Sequence, residues 1–247
     1  MGKVREEICE LVRECGAIIK NADRDALIID EKSGRANFVT EYDKRVQQKL
    51  KDGLCNIMPD AVFIGEEGET AGFSSTGKFF IVDPIDGTTN FIKDYHMSCI
   101  SVALIVDGMA QIGIVYNPYL DEMFWAEKGL GAYCNEKRIH VSDEPLENGV
   151  VLFGTSPYNE ELSKRSFDTA YEYFLKALDI RRSGSAAIDL CSVAAGRAEL
   201  YFELLLSPWD YAAGGLILTE AGGIITDFDG NEIVYDRQCS VLARNRK

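Results

Sequence analysis

Four short acidic segments stand out in this 247-residue chain: Thr40-Glu41-Tyr42-Asp43, Gly65-Glu66-Glu67, Asp83-Pro84-Ile85-Asp86-Gly87-Thr88-Thr89-Asn90-Phe91, and Pro208-Trp209-Asp210. The third is the richest. Asp83 follows the apolar run Phe79-Phe80-Ile81-Val82, and Pro84 removes a backbone donor, which predicts that strand pairing stops there. Asp86 comes three residues later, and Gly87 permits a tight turn. Thr88, Thr89 and Asn90 suit the mouth of a helix, whose exposed N–H groups attract anions. One segment thus offers two carboxylates for a hard cation beside an anion-binding helix start. Magnesium favours such a set: a few carboxylates, waters and phosphate oxygens. An isolated Asp-x-x-Asp-Gly would be a turn with a cap and nothing more. Here Glu66-Glu67 ends another strand and Trp209-Asp210 opens a late helix, and carboxylates converging from such places are costly without a cation between them.

The elements that must carry these residues follow from periodicity. Val4, Ile8, Leu11, Cys15 and Ile18/Ile19 predict an amphipathic helix over about 3–21. Leu27-Ile28-Ile29 and Phe38-Val39 flank a polar stretch and read as a hairpin. Thr40 reads as the N-cap of a helix with Val46, Leu50 and Leu54 on one face. Residues 61–64 and 79–82 read as buried strands. Two β-rich runs around Asp107-Gly108 predict a hairpin, which 123–125 and 131–133 extend. Beyond a strand at 150–153, a helix over about 159–177 carries Phe167, Tyr171, Phe174 and Leu178 in register. A small-residue helix over 185–195, a strand at 199–203 and a helix over 208–221, with Pro at its start and Gly222-Gly223 at its end, complete the pattern. This mixed order, with no low-complexity tract or internal repeat, predicts one α/β unit (α+β type) in stacked layers; any division into lobes falls near 150.

Composition narrows the partners. Lys plus Arg number 26 against 40 Asp plus Glu, a net charge of −14, and such a field opposes nucleic acid and anionic membranes. A site that takes an anionic ligand must therefore reverse the local field, and bound cations are the usual means. No run reaches the ~18 apolar residues of a membrane span, and the acidic N-terminus does not read as a signal peptide. Seven scattered cysteines, without a Cys-x-x-Cys pair, fit free thiols and a cytoplasmic setting.

The chain resembles the inositol monophosphatases of the lithium-sensitive, magnesium-dependent phosphatase superfamily. The matching stretches are Val39–Asp43, Phe63–Glu67, Asp83–Phe91, Gly184-Ser185-Ala186-Ala187-Ile188-Asp189-Leu190, and Trp209–Gly214 leading into Glu220–Gly223. They come in family order and span most of the chain. The resemblance implies one Mg2+ held by Glu66, Asp83 and the Ile85 carbonyl, and a second held by Asp83, Asp86 and Asp210. Glu66 with waters would hold a weaker third. It implies that Asp43 and Thr88 polarise the attacking water, with Glu66 ligating or orienting that water, so the catalytic set is Glu66, Thr88 and Asp43. The Gly87 and Thr88 amides would grip the phosphate, while Asp86, the Ala186 backbone and Glu203 meet the substrate ring. Lys32 would ride on a hairpin that folds over the metals. The implied fold alternates layers of helix and sheet, as a single unit over 1–247 and usually a homodimer. The implied reaction is magnesium-dependent hydrolysis of an inositol phosphate monoester by a metal-activated water.

Rival motifs are weaker. Gly72 to Phe79 nearly spells a P-loop, but Phe79 replaces the hydroxyl and a strand follows where a helix should begin. Gly129-Leu130-Gly131 lacks the third glycine of a dinucleotide fingerprint. His96 and His140 are too few for a zinc site or a Ser-His-Asp triad, and a structural role suits His96 better. The cysteines read as core, Trp125 and Trp209 as packing residues, Arg181-Arg182 as strand-edge or site-rim charge, and Arg244–Lys247 as a solvated tail. A noncatalytic metal- or phosphate-binding module would have lost a carboxylate, and none of Asp43, Glu66, Asp83, Asp86 and Asp210 is missing. Within the superfamily, the central motif and Glu203 favour an inositol phosphate; fructose 1,6-bisphosphate is the leading alternative, ahead of a broad sugar or nucleotide phosphatase.

Overall fold

The computed structural model describes residues 1–31, 38–68, 76–157 and 159–247. Helix α1 (Gly2–Lys20) buries Ile8, Val12, Cys15 and Ile19 at the spacing the sequence predicts. Strands β1 (Ile29–Glu31) and β2 (Phe38–Thr40) pair antiparallel; the tip between them, with Lys32, lies outside the described residues. Helix α2 (Glu41–Ile57) starts at its Thr40 cap and buries Val46, Leu50 and Leu54. Then follow β3 (Val62–Gly65), β4 (Lys78–Asp86), the short α3 (Thr88–Ile92), β5 (Cys99–Val106), β6 (Met109–Asn117), β7 (Glu122–Glu127), β8 (Gly131–Cys134) and β9 (Lys137–Ile139). The second half holds β10 (Val150–Phe153), α4 (Glu160–Phe174), β11 (Asp179–Arg181), α5 (Ala186–Ala194), β12 (Leu200–Leu206), α6 (Pro208–Glu220), β13 (Ile224–Thr226) and β14 (Cys239–Arg244).

Strands β3 to β9 form a seven-stranded sheet in sequence order, with β3–β4 parallel and the rest antiparallel. The β5–β6 turn has positive φ at both Asp107 (48°) and Gly108 (75°), as a two-residue hairpin requires. A second sheet runs β11-β10-β12-β14-β13. The mixed α/β layers alternate. Helices α1 and α2 cover one face of the large sheet around Ile8, Leu50, Phe80 and Leu104. Helices α5 and α6 fill the space between the two sheets. Helix α4 lies on the outer face of the smaller sheet. The chain changes sheets near residue 150, although α6 returns to pack on the first one.

Three expectations need correction. Strand β4 does not stop at Pro84 but runs on to Asp86 through a register shift. Helix α4 does not bury its large apolar residues: Phe167, Tyr171, Phe174 and the following Leu178 are 57, 62, 48 and 69% exposed. Its buried side is Ser166 and Ala170, small enough to let the helix approach the rings of Phe153 and Phe202. Only the last two residues of the C-terminal segment, Arg246 and Lys247, are exposed: Arg244 ends the interior strand β14 and Asn245 is buried, donating to the Glu144 carbonyl. Half of the P-loop-like run, 72–75, lies outside the described residues; its Lys78 and Phe79 open β4.

Candidate active site

The β4 register shift decides where the central carboxylates point. Phe79 and Ile81 face the α5–α6 layer, while Phe80 and Val82 face α1–α2. In a regular strand, residues three apart point to opposite faces, so Asp83 and Asp86 would be separated by the sheet. Asp83 pairs with Ser101 and Asp86 with Cys99, so three steps along β4 match two along β5. The extra residue falls at Pro84-Ile85, where a missing N–H costs the ladder least. Ile85 drops into the α1–α2 core, and both aspartates end on one side.

Two further carboxylates are aimed by helix starts. Asp43 occupies the third position of α2, and its Oδ2 accepts from the Thr40 amide at 2.7 Å and the Thr40 hydroxyl at 2.6 Å. Asp210 holds the same position in α6, its Oδ2 accepting from the Ser207 amide at 2.7 Å. Each is one half of a capping box, a device that fixes a side chain against its own helix start. In both, Oδ2 serves the cap, which leaves Oδ1 for other work. Glu66 arrives just past β3, its amide donating to the Val82 carbonyl at 3.1 Å.

One oxygen each from Asp83, Asp86 and Asp210 lie within 4.8 Å of one another, close enough for a single hard cation. Burial, reinforced by Glu66, Asp86, Asp210 and Asp43, pushes Asp83 well above the usual carboxylate range. Asp210 rises for the same reason, burial first and then its acidic neighbours. Asp86 is pushed up to about 6 by burial, against the pull of two donors: the Ser185 hydroxyl and the Ala187 amide, both 2.7 Å from its Oδ2. Such repulsion among buried acids is what a divalent cation relieves. The donor set is all oxygen, which suits magnesium, and Asp83, Asp86 and Asp210 would hold it.

The cluster lines one end of a cavity of about 320 Å³ that also takes in Glu66, Ile85, Gly87, Thr88, Ala186 and Glu203. Gly87 caps α3 with φ 89°, and a side chain there would run 2.9 Å from the Met97 carbonyl. The turn therefore requires glycine, and it presents the first α3 amides, which have no partner within the helix. The Thr88 hydroxyl lies 3.1 Å from the Ile85 carbonyl and 3.3 Å from Asp43 Oδ1. Asp43 itself does not line the cavity but stands behind Thr88.

The sequence reading did not foresee the groups that hold these residues. Ser185 and Ala187 clamp Asp86, and Gln47 grips both the amide and the carbonyl of Glu67. Glu203 is engaged as well: Oε2 accepts from the Tyr201 hydroxyl at 2.8 Å and Oε1 from the Ser156 amide at 2.9 Å. Asp189, buried and raised by that burial, lines the cavity together with Arg182. The Ser185-to-Asp189 spacing, one helical turn, was the available signal for Asp189. His96 stands apart, stacked on Tyr119 and paired with Asp94. All seven cysteines are free, and among the described residues no helix is long and apolar enough to cross a membrane.

A family model described as the inositol monophosphatase family matches residues 1–247. Inositol monophosphatase 2 of Saccharomyces cerevisiae is 36% identical over 258 residues, covering 98% of this chain and 88% of that protein. The protein called Nus factor SuhB in Vibrio cholerae serotype O1 is 38% identical over 214 residues, covering 86% and 80%. The crystal structure of extragenic suppressor protein suhB from Bartonella henselae superposes with a TM-score of 0.91 at 33% identity, covering 99% of this chain and 94% of that one.

Proposed function

Since the chain belongs to the inositol monophosphatase family and is a phosphoric monoester hydrolase, we propose that it hydrolyses an inositol monophosphate such as inositol 1-phosphate in a magnesium-dependent reaction. The observation that carries this reading is the convergence of Asp83, Asp86 and Asp210 beside the Gly87–Thr88 start of α3. Glu66, the Ile85 carbonyl and the three aspartates would hold magnesium there, and the ion would supply positive charge for the phosphate oxygens and acidify the attacking water.

The chain's own residues do the rest. The Gly87 and Thr88 amides bind a phosphate oxygen and fix the ester for in-line attack, a reaction that needs mainly positioning and charge neutralisation. Thr88 accepts a hydrogen bond from the attacking water while donating to Asp43, so that the water's lone pair faces phosphorus. Glu66 orients the same water. Asp86, the Ala186 backbone and Glu203 meet the alcohol; Glu203 Oε2 has a lone pair left beyond its Tyr201 contact for a ring hydroxyl, while Oε1 faces both the amide and the hydroxyl of Ser156. The same reading takes 1–247 as one functional unit, a homodimer in the cytoplasm, with no nucleic acid or membrane partner.

The test is phosphate release from a panel with magnesium or with EDTA: inositol 1-phosphate, fructose 1,6-bisphosphate, histidinol phosphate, NADP and adenosine 3′,5′-bisphosphate. Inositol 1-phosphate should be turned over only with magnesium, and Asp83→Asn should abolish turnover while the circular dichroism spectrum is kept. A clear preference for adenosine 3′,5′-bisphosphate, or near-normal turnover by Asp83→Asn at saturating magnesium, would overturn the reading. Light scattering on the purified chain tests the dimer.

A further inference from the structure

Helix α3 has five residues, too few to hold its own geometry, and the one side chain it buries is Phe91. Its position is set from outside. Asn90 Nδ2 donates to the Met97 and Ser183 carbonyls at 2.6 and 2.9 Å and holds the middle. The far end is held by Arg24, which opens the one-turn 3₁₀ helix (Arg24–Ala26) between α1 and β1. Each of its three guanidinium nitrogens has its own partner. Nη1 donates to the Phe91 carbonyl at 2.5 Å, Nη2 to the Tyr119 hydroxyl at 2.8 Å, and Nε pairs with Asp94 at 2.6 Å. The guanidinium also lies over the Phe91 ring, 4.8 Å from its centroid. A cation suits this place, because the last carbonyls of a helix lack partners and carry its negative end. Asp94, just past the helix, has a φ of 54°, and Arg24 fixes its carboxylate there.

The same turn is fastened to α2. The Asp23 amide donates to the Tyr42 hydroxyl at 3.0 Å, and the Tyr42 ring packs on Phe91 with centroids 5.7 Å apart. Tyr42 directly precedes Asp43, and Phe91 follows Thr88 by about one helical turn. The contacts close a circuit: Arg24 to Phe91, along α3 to Thr88, across to Asp43 Oδ1, and back through Tyr42 to Asp23. At 3.3 Å the Thr88–Asp43 link is the longest hydrogen bond in that circuit. A typical O–H···O bond is about 2.7–2.8 Å, and ~0.3 Å more would take this one out of range.

Resting on the phosphatase reading above, we propose that Arg24 is a positioning residue for that reaction: clamped on the far end of α3, it sets the Thr88–Asp43 distance and so aims the hydroxyl that orients the attacking water. Arg24 does not line the cavity, so its influence passes through α3. Without it the end of α3 is released while the Gly87 turn and Asn90 keep their bonds. The helix then pivots, and Thr88 drifts from Asp43. A displacement of ~1 Å at a reacting group costs about 10²-fold in rate, even when its cause lies far from the chemistry.

A double-mutant cycle tests this. kcat, KM and the magnesium concentration for half-maximal rate are measured with inositol 1-phosphate for the wild type, Arg24→Gln, Arg24→Lys, Tyr42→Phe and Thr88→Ala. Arg24→Gln and Tyr42→Phe are also each combined with Thr88→Ala. Arg13→Gln, which removes an exposed ion pair with Asp121, is the control and should match the wild type. Arg24→Gln should lower kcat by about 10–100-fold, with KM and the magnesium requirement within roughly threefold. Arg24→Lys keeps the charge but not the planar fork, and should fall between. Tyr42→Phe keeps the ring against Phe91 and opens the circuit on the α2 side. It should lower kcat by about three- to tenfold, the range for one neutral hydrogen bond, and it decides the case if Arg24→Gln does not fold. In the Thr88→Ala background neither substitution should lower kcat by more than about twofold, because the link they set is already gone. Losses that multiply with that of Thr88→Ala, or an unchanged kcat in both single variants, would overturn the assignment while leaving the phosphatase intact. No magnesium-dependent phosphate release by the wild type would defeat the underlying reading as well.

Discussion

The Thr88 hydroxyl lies 3.3 Å from Asp43 Oδ1 and ties the first residue of α3 to the first turn of α2. The hydroxyl has one proton and two acceptors in reach, Asp43 and the Ile85 carbonyl at 3.1 Å. When the Ile85 carbonyl is engaged elsewhere, the proton turns to Asp43 and a Thr88 lone pair faces the cavity. Thr88→Ala should therefore lower kcat by about 10²–10⁴-fold, the usual range for a lost proton-handling group, with KM changed much less. Thr88→Ser should restore most of the rate. Equal rates for the alanine and serine variants would remove Thr88 from the chemistry.

The acidic cluster makes stability depend on pH and on metal in opposite senses. In metal-free protein the folded pKa of Asp86, about 6, stands above its ordinary 3.8. The folded state thus holds this proton more tightly than the unfolded chain. The contribution is fully present below 3.8 and is lost as pH rises to about 6, a difference of about 3 kcal/mol for this one group. Asp83 and Asp210, also raised, chiefly by burial, act in the same direction. In EDTA, Asp86→Asn should melt above the wild type at pH 7.5, with the gap closing toward pH 5. Magnesium, which needs the charged carboxylates, should raise the wild-type melting temperature more at pH 7.5 than at pH 5. A magnesium increment independent of pH would contradict this.

Much of the site was legible because its residues sit in continuous segments with distinctive chemistry. The Thr40 and Pro208 helix starts, the glycine turn at 87 and the Asp107-Gly108 hairpin are each fixed within a few residues. The orientation of Asp86 was not legible, because the parity of β4 depends on a bulge formed against β5, a partner the local pattern does not specify. The α4 face failed similarly. A period of 3.6 shows which residues share a stripe, but coverage of the stripe depends on how closely the helix approaches Phe153 and Phe202. Strand β14 was overlooked because only Val241 and Ala243 point fully inward, a short alternation beside a basic terminus. Arg182 looked like its neighbour Arg181, yet Arg181 pairs with Asp179 while Arg182 lines the cavity.

Asp86 is aimed by groups that do not touch the reaction. Ser185 and Ala187 both donate to its Oδ2, which leaves Oδ1 for the cluster. Partners of this kind, one bond behind a metal ligand, typically change metal affinity by about 10–100-fold when removed. Ser185→Ala also removes the N-cap of α5, whose hydroxyl accepts from the Ile188 amide at 3.3 Å, at a cost of about 1 kcal/mol. The magnesium concentration for half-maximal rate should accordingly rise by about tenfold or more in Ser185→Ala. Ser185→Thr, which keeps both the hydroxyl and the cap, should stay within about threefold. If both variants raise the requirement alike, packing and not the hydrogen bond positions Asp86.

Glu203 has two tasks that substitutions can separate. Its Oε1 holds the Ser156 amide, and Ser156 is bent into the left-handed region with φ 42°, so the 154–157 segment of the cavity wall depends on this carboxylate. Its Oε2 accepts from Tyr201, whose buried hydroxyl would otherwise lack a partner. Tyr201→Phe removes that donor and leaves the Ser156 contact and the carboxylate in place. It should shift the KM for inositol 1-phosphate by less than about tenfold, a lost neutral-to-charged hydrogen bond acting on a ligand one step removed, with kcat nearly unchanged. Glu203→Ala frees the strained Ser156 as well, so KM should rise further and the melting temperature should fall. Ser156→Gly tolerates the positive φ without that restraint. Combined with Glu203→Ala, it should recover part of the lost stability but none of the lost affinity, which separates the wall-holding role from contact with the substrate. Recovery of both would mean that Glu203 acts only through the wall.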